Sequence, residues 1–383
     1  MDQFARRRQG SFRTLYRTIV ELCRTPLTEG VATTNADHYV KRYPSAEFAL
    51  ALMLHFVLGL QSLRQLAIHL AEDSRLTRLI GMRGISSSHL PKLLHKRPAQ
   101  LWTPLIEALM SRLRPGDAPP GVWAIDATFL TVGAKLLSRV TGRKLDPENA
   151  GAKLSAVVNL SDKRLAQFHI SLGSGHDAEH TEQLLPETWE IAELTFVFDR
   201  GYRKYAFYRD LIRRGAHFVT RQSANDHFEP QQAVALDPAH PEIVSDQIGL
   251  LGGTTRPAHT RMRLRRIVTR CERGEMVFLT THLDLSAAEV CALYQQRWII
   301  EIFFRWLKSN VNLKRPLGYG PEAAMHTIFA ALAAYCLALL LADWELSPTT
   351  SRPVPRIARS MQTIRARLYE QARTDELQAL RFL

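Results

Sequence analysis

The sequence predicts an α/β protein built on a mixed sheet, preceded by a helical domain. Three observations predict this. The first 113 residues carry helical periodicity. A Pro/Gly segment, RPGDAPPG (114–121), then marks a boundary. Beyond it come short alternating or continuously apolar runs interrupted by helical stretches, in the order β-β-β-α-β-α-β.

Within 1–113, ALALMLHFVLGL (49–60) is strongly apolar and SLRQLAIHL (62–70) has a helical period. SSSHLPKLLHKRP (86–98) opens on serines suited to capping and then turns basic. LWTPLIEALMSRL (101–113) is helical, with Pro104 near its start. A basic helix after a short turn suits a DNA-reading helix-turn-helix; an ordinary helical domain suits it equally.

After the boundary, VWAIDATFL (122–130), KLSAVVNL (153–160) and RLAQFHISL (164–172) read as three strands of an antiparallel meander. HTEQLLPETW (180–189) reads as helix. LTFVFD (194–199) is a continuous apolar run, as expected of a strand buried on both faces. RKYAFYRDLIRRG (203–215) is a helix stopped by Gly215, and HFVTRQS (217–223) is another strand. Residues 122–223 thus read as the first part of a mixed α/β core. Residues 224–285 alternate like strands at 243–251, 261–270 and 275–283 and read as a β-rich insertion. Ser286-Ala287-Ala288-Glu289 has the capping-box form and opens a helix in 286–345. Residues 346–383 are a basic, helix-prone tail suited to packing on the body, to oligomer contact or to DNA.

The 383 residues are 46% hydrophobic, enough for a sizeable core and two or three domains. Fifty Lys and Arg against 37 Asp and Glu give a net charge of +13, which points to a polyanionic partner; anionic membrane surfaces and simple surface bias compete with it. The four cysteines have no C-x-x-C spacing and no ligand-spaced histidines beside them, so a zinc site or disulfide framework is not expected and a reducing cytoplasm is. AAMHTIFAALAAYCLALLLA (323–342) approaches the length of a membrane span. His326 and Thr327 interrupt it, and a core helix is the expectation.

Three carboxylates draw attention. Asp126 lies inside an apolar strand, where a charge costs several kcal/mol unless paired or metal-bound. Asp199 ends LTFVFD just before Arg200-Gly201-Tyr202, at the end of a strand where α/β proteins place ligands. Glu301 is the sole acid between Glu289 and Glu322. Taken singly, Asp126 could bond Thr128, Asp199 could cap the next helix and Glu301 could pair with arginine on a solvated stripe. Converging at one sheet edge, they would make an oxygen-ligand site for two hard divalent cations, the arrangement that activates a nucleophile at a phosphodiester.

Glu301 sits in YQQRWIIEIFFRWLK (294–308). On a continuous helix, Tyr294, Arg297, Glu301 and Lys308 fall on one narrow seam, with Trp298 and Arg305 bordering it and Ile299, Ile300, Ile302, Phe303, Trp306 and Leu307 on the apolar side. In the insertion, alternation would put Arg261, Arg263 and Arg265 on one strand face. Such a ladder suits a phosphate backbone, or a solvated edge that blocks aggregation.

The spacing Y-x(2)-R-x(3)-E-x(6)-K, kept here by Tyr294, Arg297, Glu301 and Lys308, resembles the signature of bacterial insertion-sequence DDE transposases of the IS-four family. "IDAT" and "DRGY" resemble that family's two aspartate motifs, and 101 residues lie between Asp199 and Glu301, room for the family's β-rich insertion. The resemblance implies an RNase H-like catalytic core with a helical N-terminal domain and a helical tail. It implies that Asp126, Asp199 and Glu301 hold two Mg2+ ions, with Mn2+ as a substitute, for phosphodiester hydrolysis and strand transfer in cut-and-paste transposition. It assigns Tyr294, Arg297 and Lys308 to phosphates beside the cut. The partners implied are double-stranded DNA, as the element's inverted-repeat ends and the target, and a second copy in a homodimer. A bacterial cytoplasmic, nucleoid-associated protein with no membrane contact follows. Relatives form a hairpin and stack a flipped base on an insertion Trp. The insertion here has none, which leaves Phe278, Phe228 or Trp298 as candidates. A nuclease of the same core without strand transfer, and a domesticated sequence-specific DNA-binding protein, are the alternatives.

Overall fold

The computed structural model describes residues 13–345 apart from 41, 83, 114–120, 132–150, 173–175, 253–260, 273, 311–316 and 319. The basic tail and most of the Pro/Gly segment lie outside these residues. The chain divides into two compact units. One takes residues 1–115, 130–152 and 305–383; the other takes 116–129 and 153–304.

In the helical unit, α1 (Arg13–Thr34), α2 (Ser45–Leu58), α3 (Leu63–Glu72), α4 (Ser74–Ile80), α5 (Leu90–Lys96) and α6 (Thr103–Leu113) precede the sheet in the chain. Helix α2 is apolar all round, and every residue but Glu47 is buried, as a helix at the centre of a bundle should be. It stops at Gly59, whose φ of +71° lets the amide turn back onto Phe56 O while Leu60 N reaches His55 O. Ser62 caps α3 by accepting from Gln65 N. Gly30 of α1 lies so close to the chain at Leu101 that an added Cβ would stand 1.9 Å from Leu101 O.

The expected core helix is found as α11 (Pro321–Glu345), which packs on α2, α5 and α6. It is the one described helix long and apolar enough to cross a membrane, and 89% of that apolar window is buried. Its two polar interruptions are satisfied inside the bundle. His326 Nδ1 accepts from Trp102 Nε1 at 2.8 Å and Nε2 faces Arg97 O at 3.1 Å; Thr327 Oγ1 donates to Ala323 O and accepts from Leu317 N. Burial pushes His326 down to about 4, so it is neutral near pH 7.

In the other unit, β1 (Val122–Thr131), β2 (Gly151–Asn159), β3 (Leu165–Leu172), β4 (Thr195–Phe198), β5 (His217–Arg221), β6 (Phe228–Ala233), β7 (Ile243–Leu251), β8 (Met262–Cys271) and β9 (Gly274–Thr280) form one nine-stranded sheet in the order β3-β2-β1-β4-β5-β9-β8-β7-β6. β1, β4 and β5 run parallel; β5 to β6, by way of β9, β8 and β7, are antiparallel. The strands of 224–285 therefore extend the central sheet through the β5–β9 pairing. β6 was not foreseen from the sequence. It is an exposed edge strand with Pro230 and a register shift, so its alternation is weak. The expected helix at 180–189 shrinks to α7 (Thr181–Leu184), since Pro186 cannot continue it. α8 (Tyr205–Arg213) buries Phe207, Tyr208 and Leu211 beside Phe198 and Phe218.

The stretch after the capping box is not one helix. Ser286 and Glu289 satisfy each other's amides as expected and open α9 (Ala287–Gln296). At Arg297 the ladder tightens to three-residue spacing, with Arg297 N bonding Tyr294 O and Ile300 N bonding Arg297 O; α10 (Trp298–Asn310) follows.

Candidate active site

Two carboxylates are positioned by strand register. Parallel β1 and β4 pair Ile125 with Phe198, so the next residues, Asp126 and Asp199, lie side by side at the same end of neighbouring strands. Adjacent strands are about 4.8 Å apart, which sets the scale of their separation. Asp126 Oδ1 accepts from Ala127 N at 2.9 Å. Asp199 Oδ1 accepts from Gly201 N at 2.6 Å, so the capping role open to it from sequence is realised at the strand end.

The third acid is joined to the first by an arginine. Arg297 Nη2 lies 2.6 Å from Glu301 Oε1, and Arg297 Nη1 lies 3.5 Å from Asp126 Oδ2. The three side chains are largely shielded, at 18% exposure for Arg297 and Asp126 and 31% for Glu301. Burial pulls the Arg297 guanidinium down, but Glu301, Tyr294 and Asp126 together outweigh it and leave it raised. Tyr294 lies under Arg297, whose guanidinium carbon is 5.7 Å from the ring centre. Burial raises the Tyr294 phenol; Arg297 and Arg221 pull it back, and Asp199 adds to the rise. The Tyr294 ring lies 4.8 Å from that of Phe278, the β9 residue paired with Arg221.

Arg221 was missed from sequence. β4 pairs Phe198 with Thr220 on β5, so the next residues, Asp199 and Arg221, lie side by side and complete a row Asp126, Asp199, Arg221. The signal was the alignment of HFVTR with LTFVFD, which only pairing reveals. Asp226 was missed too. Buried, it accepts from Arg203 Nε at 2.5 Å, Tyr205 OH at 3.0 Å and Ser223 N at 2.8 Å, tying the segment after Asp199 to the β5–β6 turn.

Two expected contact residues need correction. Arg265 is 3% exposed and forms a two-pronged pair with Asp246, at 2.8 and 2.6 Å, while Nη1 donates to Leu283 O and Leu285 O. It cannot meet a phosphate. The ladder face was misread because β8 is an interior strand of the sheet; Arg263 is exposed and Arg261 half-buried. Phe278 is 1% exposed, its ring 4.8 Å from that of Tyr294, so it supports Tyr294 and cannot stack a base. Trp298 is 52% exposed, and Ile302, expected on the apolar side, is 42% exposed one turn on. Lys308 is half-buried on α10, in the part of that helix belonging to the helical unit.

The donor set is three carboxylates, the hard oxygen chemistry that suits a divalent cation. A guanidinium cation already spans two of them. Among the described residues no three Asp, Glu, His or Cys side chains are gathered at metal-ligating distance.

Residues 117–337, more than half of the chain, match the family model described as the transposase DDE domain. The matched segment contains Asp126, Asp199 and Glu301. A protein of Geobacillus stearothermophilus named as transposase for insertion sequence element IS5377 is 29% identical over 59% of this chain and 58% of its own length. A protein of Sinorhizobium fredii named as transposase y4zB is 26% identical over 56% and 58%. A protein of Synechocystis named as transposase for insertion sequence element IS4SA is 21% identical over 60% and 62%. The matches thus span less than two thirds of each of these relatives. The mixed sheet, the paired strand-end carboxylates and these matches identify the chain as a member of the DDE transposase family of insertion sequences.

Proposed function

We propose that the chain is a DNA transposase that cuts and rejoins phosphodiesters at the ends of its own insertion sequence. The observation that carries this is the register of β1 and β4, which sets Asp126 beside Asp199, with Glu301 joined to Asp126 through Arg297. Asp126, Asp199 and Glu301 would hold divalent metal, Mg2+ or Mn2+. When bound, that metal supplies activation of the attacking oxygen and stabilisation of the leaving one. The chain's own groups do the rest. The strand ends fix two carboxylates, and α10 brings the third. Arg297 and Lys308 bind phosphates beside the cut, Arg297 as a planar fork and Lys308 as a point charge. The Tyr294 hydroxyl donates one further hydrogen bond, and Arg221 extends the basic row.

Water attacks first, nicking the element's end. The freed 3′-hydroxyl then attacks DNA, either the opposite strand to give a hairpin or the target directly. Trp298, exposed beside the seam, is the residue suited to stack a displaced base. The Y-R-E-K spacing supports membership of the IS-four group, and a homodimer on paired ends follows from that reading.

The test uses purified protein, Mg2+ and duplexes taken from the DNA flanking the coding sequence. Site-specific nicking at the element's termini, followed by joining of the 3′-end to a second duplex, is expected. Nicking without joining would reduce the function to that of a nuclease, and no cleavage in Mg2+ or Mn2+ would overturn it.

A further inference from the structure

We propose that Arg297 is an internal counter-cation that holds divalent metal off the carboxylates until a DNA phosphate draws it away, so that metal loading and DNA engagement are coupled. The proposal rests on Asp126 and Glu301 being the metal-holding acids and adds a control to that site.

The geometry is specific. Asp126 belongs to β1 and Glu301 to α10, and one guanidinium spans them with a different nitrogen on each, at 3.5 and 2.6 Å. A cation held by both carboxylates would meet this guanidinium as a like charge, so the two positive groups compete. Shielding makes the competition matter, because salt and water screen a partly buried pair far less than a surface pair.

The guanidinium is also imperfectly served where it is. Its Nε is buried and has no hydrogen-bond acceptor. Its hydrogen bond to Glu301 runs from Nη2 at 2.6 Å, and Nη1 stands 3.5 Å from Asp126 Oδ2, a longer contact than the two-pronged pairing in which arginine binds best. A phosphodiester offers two oxygens to one edge of the fork, Nε included. Exchanging carboxylates for phosphate therefore satisfies an orphaned donor and strips a compensating charge from Asp126 and Glu301. Their mutual repulsion, no longer offset, then favours a divalent ion. The position suits a swing, since Arg297 lies at the junction of α9 and α10, where the helical bonds change spacing. Thermodynamic reciprocity requires that metal strengthen DNA binding by the factor by which DNA strengthens metal binding.

The experiment measures Mn2+ binding to the full chain from loss of the free-ion paramagnetic resonance signal. It is run with and without a duplex from the flanking DNA, for the wild type, Arg297→Ala and Arg297→Gln. Without DNA both variants should bind Mn2+ roughly tenfold more tightly than the wild type, within the usual range of site-to-site coupling. DNA should tighten wild-type Mn2+ binding by a similar factor and leave the variants almost unchanged. Equal Mn2+ affinity of wild type and variants without DNA would overturn the proposal, as would a wild type indifferent to DNA. Asp126→Asn and Glu301→Gln in the Arg297→Gln background separate the two readings. If they keep Mn2+ binding, the acid assignment itself is wrong; if they lose it and Arg297 has no effect, the counter-cation alone is wrong. Melting profiles of all variants verify folding, and Arg297→Gln serves should Arg297→Ala not fold.

Discussion

Arg263 and Arg265 stand two residues apart on β8 and have opposite fates. Arg263 is exposed, whereas Arg265 is shut in with Asp246, 19 residues earlier in the chain. Arg265→Leu should therefore destabilise the protein by about 3–5 kcal/mol in denaturant unfolding, because Asp246 is left buried and uncompensated. Arg263→Ala should leave stability within about 0.5 kcal/mol. A second residue-scale expectation concerns Glu301. Glu301→Gln should abolish Mg2+-dependent nicking and spare DNA binding in gel-shift titrations; residual nicking at the wild-type rate would exclude Glu301 from the chemistry. Trp298→Ala should weaken a displaced-base complex by about 1–3 kcal/mol, read from 2-aminopurine fluorescence at the cut site. Asp126, Asp199 and Glu301 stand out in the sequence because each breaks a local rule: a charge inside an apolar strand, a charge at a strand end, a lone acid among cations; their catalytic role is what the Glu301→Gln experiment tests. Arg265 was not legible, because its partner is set by β7–β8 register rather than by neighbouring residues.

At the scale of elements, length revealed α11, a continuous apolar run revealed β4 and alternation revealed β7, β8 and β9. It failed at β6, where Pro230 and the register shift erase the period, and at Arg297, where a change of hydrogen-bond spacing leaves no mark in composition. Close approach is likewise invisible from sequence. Gly30→Ala would drive a methyl group into Leu101 O, and a loss of about 1–3 kcal/mol or more is expected in thermal unfolding. α11 also carries a pH dependence. His326 titrates near 4 when folded and near 6.5 when unfolded, so the unfolded chain binds the extra proton. Its contribution is complete above 6.5 and is lost as pH falls from 6.5 towards 4. His326→Gln should flatten that part of the stability profile; an unchanged slope would remove His326 as its source.

Across the whole molecule, the excess of basic charge points to a polyanionic partner, which the proposed function takes to be DNA. DNA binding should weaken steeply with salt. Lys308→Ala should lower the log–log slope by about one if that ammonium meets a phosphate. What composition could not convey is that one unit is assembled from the two ends of the chain. α2 buries its sides against α1 and α11, and roughly 260 residues of synthesis separate α2 from α11. On the ribosome the early helices therefore wait, with apolar surface uncovered, until α11 has emerged. A message cut short before α11 yields a polypeptide that cannot close its bundle and is open to proteolysis. Closure of this bundle is thus tied to synthesis of α11, far downstream of the helices it covers.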